Sequence, residues 1–275
     1  MKYLQNLHTH CTCCDGKDTP EEMIHYALEK GFDSVGFSSH SFNKYSPLAA
    51  AGVFSRDGIE EYHHRIPQLK EEYKDQLKIW FGIEYEYCCG EPMADYDYTL
   101  IATHYVPTAD GWKGFDGDAA CVRKLIDQYF GGDGLAFSKC YYETVAKFPS
   151  LGAFDIIAHF DIITKNLELA PDLFDGECKE YMDYALGAME ALRGKIPFFE
   201  VNTGAISRGY RKAPYPALPL LKAFREMGFL PVITSDCHDG RYLDYYFNES
   251  AELLKACGFE EKFVLTEEGF VPAEL

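Results

Sequence analysis

The chain has 275 residues with 47% hydrophobic side chains, and a formal net charge of −18. This length and apolar content predict one large α/β domain or two smaller ones, and they argue against a disordered chain. The acidic charge argues against a nucleic-acid scaffold or a basic membrane-surface protein, so we expect neither kind of partner. No apolar leader precedes Tyr3, and no apolar stretch reaches the ~20 residues of a membrane span, so we expect a cytoplasmic protein.

The first half of the chain alternates predicted strands with predicted helices. Apolar runs predict strands over residues 2–7, 34–38, 78–83 and 97–102. Thr19, Pro20 and Glu22 form the signature of a capped helix start, which predicts a helix that stops at Gly31. After an expected loop at 47–52, a second helix is predicted over 57–73. The segment 107–117 is rich in Gly and Asp and is expected to be a long loop.

The second half continues this alternation. Strands are predicted over 153–158, 197–201 and 230–234, and helices over 119–130, 140–148, 178–192, 216–227 and 242–257. A loop is expected at 203–215, and a hairpin at 263–271. Seven strands that alternate with helices indicate a mainly parallel sheet. Because the chain has no evident linker, we expect a closed or nearly closed α/β barrel that forms a single domain over 1–275.

A polar side chain follows each predicted strand. These residues are His8, His10, His40, Glu84, His104, His159, Asn202, Asp236 and His238. In α/β barrels the carboxyl ends of the strands meet at one face, where active sites lie, so we expect these residues to share one pocket. Six of the nine histidines occupy strand ends, whereas His25, His63 and His64 fall inside predicted helices and are expected to be solvated.

These residue types are typical of a metal site. His8 and His10 are two residues apart, so both imidazoles leave an extended strand by the same face and can grip one ion. Asp15 can return through a turn at Gly16 to supply an oxygen. With Glu84, Asp236 and the other strand-end histidines, the chain offers nine nitrogen and oxygen donors, too many for one ion of about four to six ligands. Two or three ions fit this number, with Glu84 placed to bridge.

The clustered cysteines Cys11, Cys13 and Cys14 offer a second possible site. A CxCC segment can bind a soft metal, but the chain has no matching CxxC elsewhere. We therefore favour small, half-buried apolar residues as their interpretation.

The motifs that carry these residues resemble, in chain order, those of the PHP superfamily of metal-dependent phosphoesterases. They are His8-Thr9-His10 with Asp15-Gly16, Ser39-His40, Gly82-Ile83-Glu84, Thr103-His104, Ala158-His159-Phe160-Asp161 and Ser235-Asp236-Cys237-His238. The resemblance implies a distorted seven-stranded, TIM-like (β/α) barrel with a trinuclear site of zinc, iron or manganese. It assigns one ion to His8, His10, Glu84 and Asp236, a second to Glu84, His104 and His159, and a third to Asp15, His40 and His238. It also implies catalytic roles for Asp15, Glu84 and Asp236 through the bound metals and the water they activate.

Within the superfamily, the chain is most similar to the monofunctional histidinol-phosphate phosphatases. The likeness lies in the insert 110–116, in Asn202-Thr203-Gly204 followed by Arg208, and in Tyr215-Pro216. It implies that a small phosphorylated metabolite, L-histidinol phosphate, is hydrolysed in histidine biosynthesis. Asn202 and either Arg208 or Arg211 are then candidate substrate contacts, and Lys44, in a segment without a close family match, is another.

Other functions stay open at this point. A phosphodiesterase of the same superfamily is disfavoured for oligonucleotides because the chain lacks a basic groove. A protein-tyrosine phosphatase is compatible with the sequence. A non-catalytic metal-binding domain is disfavoured because every family ligand position is filled. Leaving-group protonation has two candidates, a metal-bound water and Asp161, and the oligomeric state is left open.

Overall fold

The central sheet has seven parallel strands in the computed structural model, which describes residues 3–46, 55–89 and 93–275. The described residues form these seven strands and two further hairpins. In chain order all the strands are β1 (Gln5–Asn6), β2 (Ser34–Phe37), β3 (Lys78–Glu86), β4 (Tyr98–Ala102), β5 (Tyr105–Thr108), β6 (Gly111–Gly114), β7 (Ile156–Ile157), β8 (Phe198–Asn202), β9 (Leu230–Thr234), β10 (Glu261–Thr266) and β11 (Gly269–Glu274), of which β5–β6 and β10–β11 form the hairpins. The sheet order is β1-β2-β3-β4-β7-β8-β9, and every neighbouring pair is parallel. The loop expected at 47–52 lies outside the described residues.

Backbone hydrogen bonds bring the first and last strands of the sheet together. The His10 amide donates to the Cys237 carbonyl at 2.8 Å, and the Cys237 amide donates to the His8 carbonyl at 3.0 Å. These bonds lie just beyond the ends of β1 and β9, and they nearly close the sheet on itself. The predicted seven-stranded barrel is therefore confirmed.

Helices connect the strands. They are α1 (Pro20–Glu29), α2 (Arg56–Glu72), α3 (Ala119–Phe130), α4 (Gly134–Val145), α5 (Lys179–Leu192), α6 (Gly204–Ser207), α7 (Leu218–Glu226) and α8 (Phe247–Ala256). The capping box predicted for α1 is present, because Thr19 and Glu22 exchange side-chain and backbone hydrogen bonds. In the part of the chain that the structure describes, no helix is long and apolar enough to cross a membrane.

Four predicted segments differ in the structure. The loop expected at 107–117 is mostly an antiparallel hairpin of β5 and β6, whose turn is held by Thr108 Oγ1 and by Gly111 at φ 89°. The helix expected from 140 begins at Gly134, because the Asp133 carboxylate caps it. The loop expected at 203–215 contains the short helix α6. The helix expected from 242 begins at Phe247, after a separate turn of 3₁₀ helix over Gly240–Tyr242.

Strand residues alternate between two hydrophobic clusters. One cluster joins the strands to the helices and includes Ile79, Ile101, Ile157, Phe199 and Ile233. The other contains their sequence neighbours Trp80, Leu100, Ile156, Phe198 and Val232. Successive side chains point to opposite faces of a strand, so the second cluster fills the interior of the barrel.

The inner face becomes polar towards the carboxyl ends of the strands. In steps of two residues, the inner face of β3 runs from Trp80 to Glu84 and Glu86, and that of β8 runs from Phe198 to Glu200 and Asn202. All four of these polar side chains are buried. A layer of polar groups, three of them carboxyl groups, therefore lies above the apolar interior, at the end of the barrel where the sequence predicts the site.

The hairpin of β10 and β11 packs at the opposite end. Gln5, at the start of β1, exchanges two hydrogen bonds with the backbone of Leu265, and the Leu265 side chain joins the inner cluster. The ring of Phe270 stacks on that of Phe198, at the start of β8, with centroids 4.2 Å apart. The hairpin therefore covers the amino ends of the strands, away from the polar layer.

Candidate metal centre

Glu84 lies at the centre of a histidine cluster. Its Oε2 atom is 2.7 Å from His40 Nδ1, 3.4 Å from His8 Nε2 and 3.6 Å from His10 Nε2. The Glu84 residue is 1% exposed, and His8 and His10 are completely buried. The carboxylate thus faces the two histidines of the HxH motif on one side.

The other oxygen of Glu84 faces two further histidines. Its Oε1 atom is 2.9 Å from His159 Nε2 and 3.6 Å from His104 Nε2. On the far side of the His104 ring, Nδ1 lies 2.9 Å from Glu86 Oε2. Since its two oxygens face different histidine sets, Glu84 has the geometry of a bridging ligand.

Asp15 lies at the edge of the cluster, close to three histidines. Its Oδ1 atom is 3.2 Å from His238 Nε2, 3.5 Å from His40 Nε2 and 3.8 Å from His10 Nδ1. The His10 ring is stacked between those of His40 and His238, with centroid distances of 4.3 and 4.1 Å. The turn that returns Asp15 depends on Gly16, where a Cβ atom would lie 2.4 Å from the backbone nitrogen of Cys11.

Asp236 lies between the two histidines of the HxH motif and His238 of the set around Asp15. Its Oδ1 atom is 3.4 Å from His10 Nε2, 3.7 Å from His8 Nε2 and 3.4 Å from His238 Nδ1. Its φ angle is +46°, which is uncommon for a residue with a side chain and is enriched at functional sites. The backbone bonds of Cys237 to β1 hold this turn in place.

The donor atoms form groups that fit metal ions. Within each group the atoms lie within 4.8 Å of one another, and the groups are His10–Asp15–His40–His238, His8–His159–Asp236, His8–His10–Glu84 and Glu84–His104–His159. The Nε2 atoms of His8 and His10 are buried and have no hydrogen-bond partner among the described residues. Buried polar atoms are rarely left unpaired, and imidazole with carboxylate suits zinc, iron(II) or manganese. The residues therefore fit bound divalent ions.

The ionisation states of His10, Glu84 and Asp236 agree with this interpretation. Burial lowers the pKa of His10, and the neighbouring His238 and His40 lower it further, to about 3, so its imidazole stays neutral. Burial opposes ionisation of Glu84, but His40 and His8 more than offset burial and hold its pKa well below its ordinary value. Arg208 and His8 do the same for Asp236. A neutral imidazole and two carboxylates are the forms that bind metals.

These groups line or underlie a cavity of about 600 Å³. Seven of the nine predicted ligands line it, and His8 and His10 lie beneath. Arg208 also lines the cavity, and its guanidinium donates to Asp236 Oδ2 at 2.9 Å and lies 3.0 Å from His238 Nδ1. Lys165 lines the same cavity and pairs with Asp116 at 2.7 Å.

The remaining predicted substrate contacts lie outside the cavity lining. Arg211 stacks on the Tyr215 ring at 4.4 Å and bonds Thr164. Lys44 is exposed, with its ammonium over the Tyr45 ring. Asn202 is buried and donates to Glu200, while its carbonyl oxygen accepts from the Gly204 amide. Its side chain therefore ties the loop after β8.

Two buried carboxylates beside the ligands were missed in the sequence analysis. Glu86 accepts from His104, and Glu200 accepts from His8 Nδ1 at 2.8 Å. Their signal was a carboxylate inside an apolar strand, at Glu86 two residues after Glu84 and at Glu200 between Phe199 and Val201. Such partners orient metal-bound histidines.

The cysteines near the site are all free thiols. Cys11, Cys13 and Cys14 are buried, and Cys14 Sγ lies 3.4 Å from His10 Nδ1. Among the described residues, the groups suited to a metal contain no cysteine. This agrees with the interpretation of the cysteines as small buried side chains.

The family model described as PHP domain matches residues 6–204. The chain belongs to the PHP domain family.

Two curated relatives align with almost the whole chain. A Deinococcus radiodurans protein named "Probable histidinol-phosphatase" is 26% identical, over 94% of this chain and 95% of its own. The Bacillus subtilis "Histidinol-phosphatase" is 24% identical, over 89% of this chain and 97% of its own. A solved structure of Lactococcus lactis histidinol phosphate phosphatase, complexed with zinc, L-histidinol and phosphate, superposes with a TM-score of 0.70. It is 19% identical and covers 98% of both chains, which shows a shared fold.

Proposed function

We propose that this protein is a metal-dependent phosphomonoesterase that hydrolyses L-histidinol phosphate to L-histidinol and phosphate in histidine biosynthesis. The observation that carries the proposal is the cavity where the guanidinium of Arg208 meets seven of nine potential metal ligands, with the other two, His8 and His10, beneath its lining. Near full-length relatives named histidinol-phosphatase support this substrate. The solved relative that holds L-histidinol and phosphate supports it as well.

The donor groups suggest how the ions are shared. His8, His10, Glu84 and Asp236 hold one ion, and Glu84, His104 and His159 hold a second. Asp15, His40 and His238 hold a third, close to His10. The number of ions is two or three, and they are zinc, iron or manganese, of which zinc is present in the solved relative. Three groups within 4.8 Å, His8–His10–Glu84, Glu84–His104–His159 and His10–Asp15–His40–His238, support this assignment, and Asp236 lies within the same distance of His8 in a fourth group with His159.

When bound, the divalent ions lower the pKa of a coordinated water to about 7 and offset negative charge on the phosphoryl oxygens. Asp15, Glu84 and Asp236 act as the carboxylate ligands, and their pKa values all lie below the ordinary range. Three carboxylates offset only half of the charge of three divalent ions. The site therefore stays positive and attracts a phosphate dianion despite the acidic protein surface.

Arg208 is the proposed phosphate contact. Its guanidinium is held from one side by Asp236 and faces the cavity, so its remaining N–H groups can donate to phosphate oxygens. Lys165, on the cavity wall beside Asp116, is a second cation within the same space. Of the other predicted contacts, Asn202 acts through its loop, and Arg211 and Lys44 lie outside the cavity lining, so Arg208 is the preferred contact.

The proposal also covers the number of domains, the binding partner and the cellular location. A single domain over 1–275 is supported by Gln5, which bonds Leu265 in the C-terminal hairpin. The partner is a small phosphorylated metabolite, and nucleic acid is not expected. The cytoplasmic location stays a prediction.

The proposal is tested by steady-state turnover of L-histidinol phosphate, phosphotyrosine and a dinucleotide, with metal content measured on the same sample. We expect L-histidinol phosphate to be the best substrate and two or three ions to be bound per chain. Exhaustive chelation, or changing both His8 and His10 to Ala, is expected to abolish turnover.

Two outcomes would change the assignment. Preferred turnover of phosphotyrosine or the dinucleotide would replace the substrate within the same chemistry. Metal-free protein with full activity would contradict the metal mechanism itself.

A further inference from the structure

Glu200 is a buried carboxylate that the proposed reaction does not use directly. It lies inside β8, is 1% exposed and does not line the cavity. A buried carboxylate charge is costly unless other groups compensate for it.

Four donors compensate for this charge. Glu200 Oε2 accepts from His8 Nδ1 and from Thr234 Oγ1, both at 2.8 Å. Its Oε1 atom accepts from the His159 backbone amide at 2.5 Å and from Asn202 Nδ2 at 2.7 Å. Both oxygens are thus occupied by hydrogen bonds from β8 itself, from β9 and from the segments just after β1 and β7, and Glu200 belongs to none of the groups suited to a metal among the described residues.

The bond to Glu200 sets the orientation of His8. Because Nδ1 carries the proton that it donates to the carboxylate, Nε2 is the ring nitrogen left to bind a metal ion. That atom, Nε2, lies 3.4 Å from Glu84 and 3.7 Å from Asp236, and it has no hydrogen-bond partner among the described residues. Glu200 therefore aims His8 into the ligand cluster.

The same carboxylate reaches two other parts of the site. Its bond to the His159 amide fixes the backbone at a second predicted ligand. Through Asn202 it reaches the Gly204 amide at the start of α6, the helix that is directly followed by Arg208. One buried group thus connects two metal ligands with the loop of the proposed phosphate contact.

We propose that Glu200 is a positioning residue that holds the His8 imidazole in its metal-binding tautomer and direction. This inference rests on the metal site of the proposed function and concerns metal affinity rather than the identity of the substrate. Neither Asn202 nor Thr234 can replace Glu200, since each donates to the carboxylate rather than accepting from His8.

The test compares zinc affinity in Glu200→Gln and wild-type full-length protein, by competition with a chromophoric chelator. The glutamine has the same shape but no charge, and its amide NH2 cannot accept from a donor. We expect the tightest zinc site to weaken by about 10- to 100-fold. The visible spectrum of the cobalt(II)-substituted protein should change at the same time, because the ligand field of His8 changes.

Two variants separate positioning from general destabilisation. Tyr142→Phe removes a buried hydrogen bond to Tyr181 in the helical layer, and it should lower the thermal midpoint without changing zinc affinity. Glu200→Asp keeps the charge on a shorter side chain and should weaken zinc binding less than Glu200→Gln.

The inference would be overturned if folded Glu200→Gln protein had the same zinc affinity and the same cobalt spectrum as the wild type. If that variant does not fold, the same result in Glu200→Asp would overturn it. Wild-type protein that binds zinc but does not hydrolyse L-histidinol phosphate would contradict the proposed function and leave this inference in place.

Discussion

The protonation of the site histidines depends on the carboxylates around each ring. Burial lowers the pKa of His104, but Glu86 and Glu84 raise it more, to about 10. The carboxylates likewise outweigh burial at His8 and His40, and the pKa of each is raised. His10, between two other imidazoles, is kept neutral instead. Without metal, several protons therefore occupy positions that metal ions would take.

These shifts predict opposite pH responses for the metal-free and the zinc-loaded protein. A histidine whose folded pKa exceeds 6.5 stabilises the fold fully below pH 6.5, and this stabilisation is lost as the pH rises towards the folded value. The free energy of unfolding of chelated protein should therefore fall between pH 6.5 and about 10. Each group contributes up to roughly 1.4 kcal/mol per pH unit.

Zinc requires neutral imidazoles, so zinc-loaded protein should instead gain stability as the pH rises from 6 towards 8. Urea unfolding with chelator and with excess zinc measures both responses. Parallel pH profiles in the two conditions would show that the raised pKa values do not belong to the metal ligands.

The two candidate arginines differ in their surroundings, which predicts different effects of the same substitution. Arg208 lines the cavity, whereas Arg211 stacks on Tyr215 and lies 3.9 Å from the buried Asp161. Arg208→Gln should lower kcat/KM and weaken inhibition by inorganic phosphate by roughly 10- to 100-fold, the value of one or two charged hydrogen bonds.

Arg211→Gln is the matched control. It should lower the free energy of unfolding while phosphate inhibition changes much less, because it leaves a buried carboxylate without its cation. A larger loss of phosphate affinity in Arg211→Gln than in Arg208→Gln would move the phosphate contact to Arg211.

At the scale of the element, α6 sets the position of Arg208. A Cβ atom at Gly204 would lie 2.9 Å from the Arg208 guanidinium, from Asp236 Cβ and from the Ser235 carbonyl oxygen. Gly204→Ala should therefore displace Arg208 from Asp236 and lower kcat/KM. Because part of this loss arises at the Arg208–Asp236 contact that Arg208→Gln also removes, the two losses should be less than additive, and a double-mutant cycle measures this.

The control for this prediction is Gly187→Ala in α5, where no atom lies within 4 Å of the added Cβ. It should stabilise the protein by up to about 1 kcal/mol with unchanged kcat/KM. Fully additive losses in Gly204→Ala and Arg208→Gln would contradict the shared contact.

The elements that could be predicted from the sequence are those with local signals. The capping box of α1 lies within four residues, and each strand-end histidine follows directly after its own apolar run. The hairpin of β5 and β6 was missed because its Gly and Asp content resembles that of a loop. The start of α4 was missed because Gly134 follows other glycines, and only the hydrogen bonds that the Asp133 carboxylate accepts from Leu135 and Ala136 mark the boundary.

Long-range partners could not be predicted in this way. Glu200 meets His8 across 192 positions of sequence, and only the closed sheet brings the two together. The choice between Arg208 and Arg211 likewise depends on the direction in which the α6 loop turns. The alternation of inner and outer residues in β8 did carry a signal, because a carboxylate in a buried run needs a partner.

At the scale of the whole molecule, the residues that stabilise the barrel and the residues of the metal site lie at different positions along the barrel axis. The carboxylates and histidines lie at the carboxyl ends of the strands, and the β10–β11 hairpin closes the amino ends. Between them lies the apolar interior that includes Trp80, Leu100 and Phe198. Barrel enzymes commonly divide their two ends in this manner.

Leu265 tests this separation. Its side chain is 5% exposed and packs into the inner cluster from the hairpin. Leu265→Ala removes buried volume and should lower the free energy of unfolding by about 2–5 kcal/mol. Because the apolar interior separates it from the metal ligands, kcat/KM and zinc content at 25 °C should match those of the wild type. Urea unfolding and steady-state kinetics on one preparation measure both effects.

Leu169→Ala is the matched control, since the same side chain is 62% exposed there and its loss should change stability by less than about 0.5 kcal/mol. Equal destabilisation by the two substitutions would show that the hairpin does not seal the barrel. A loss of zinc in Leu265→Ala under conditions where the protein is folded would show that the two ends are coupled. The apolar interior would then transmit strain to the ligands rather than separate them, because a closely packed core does not absorb a cavity locally.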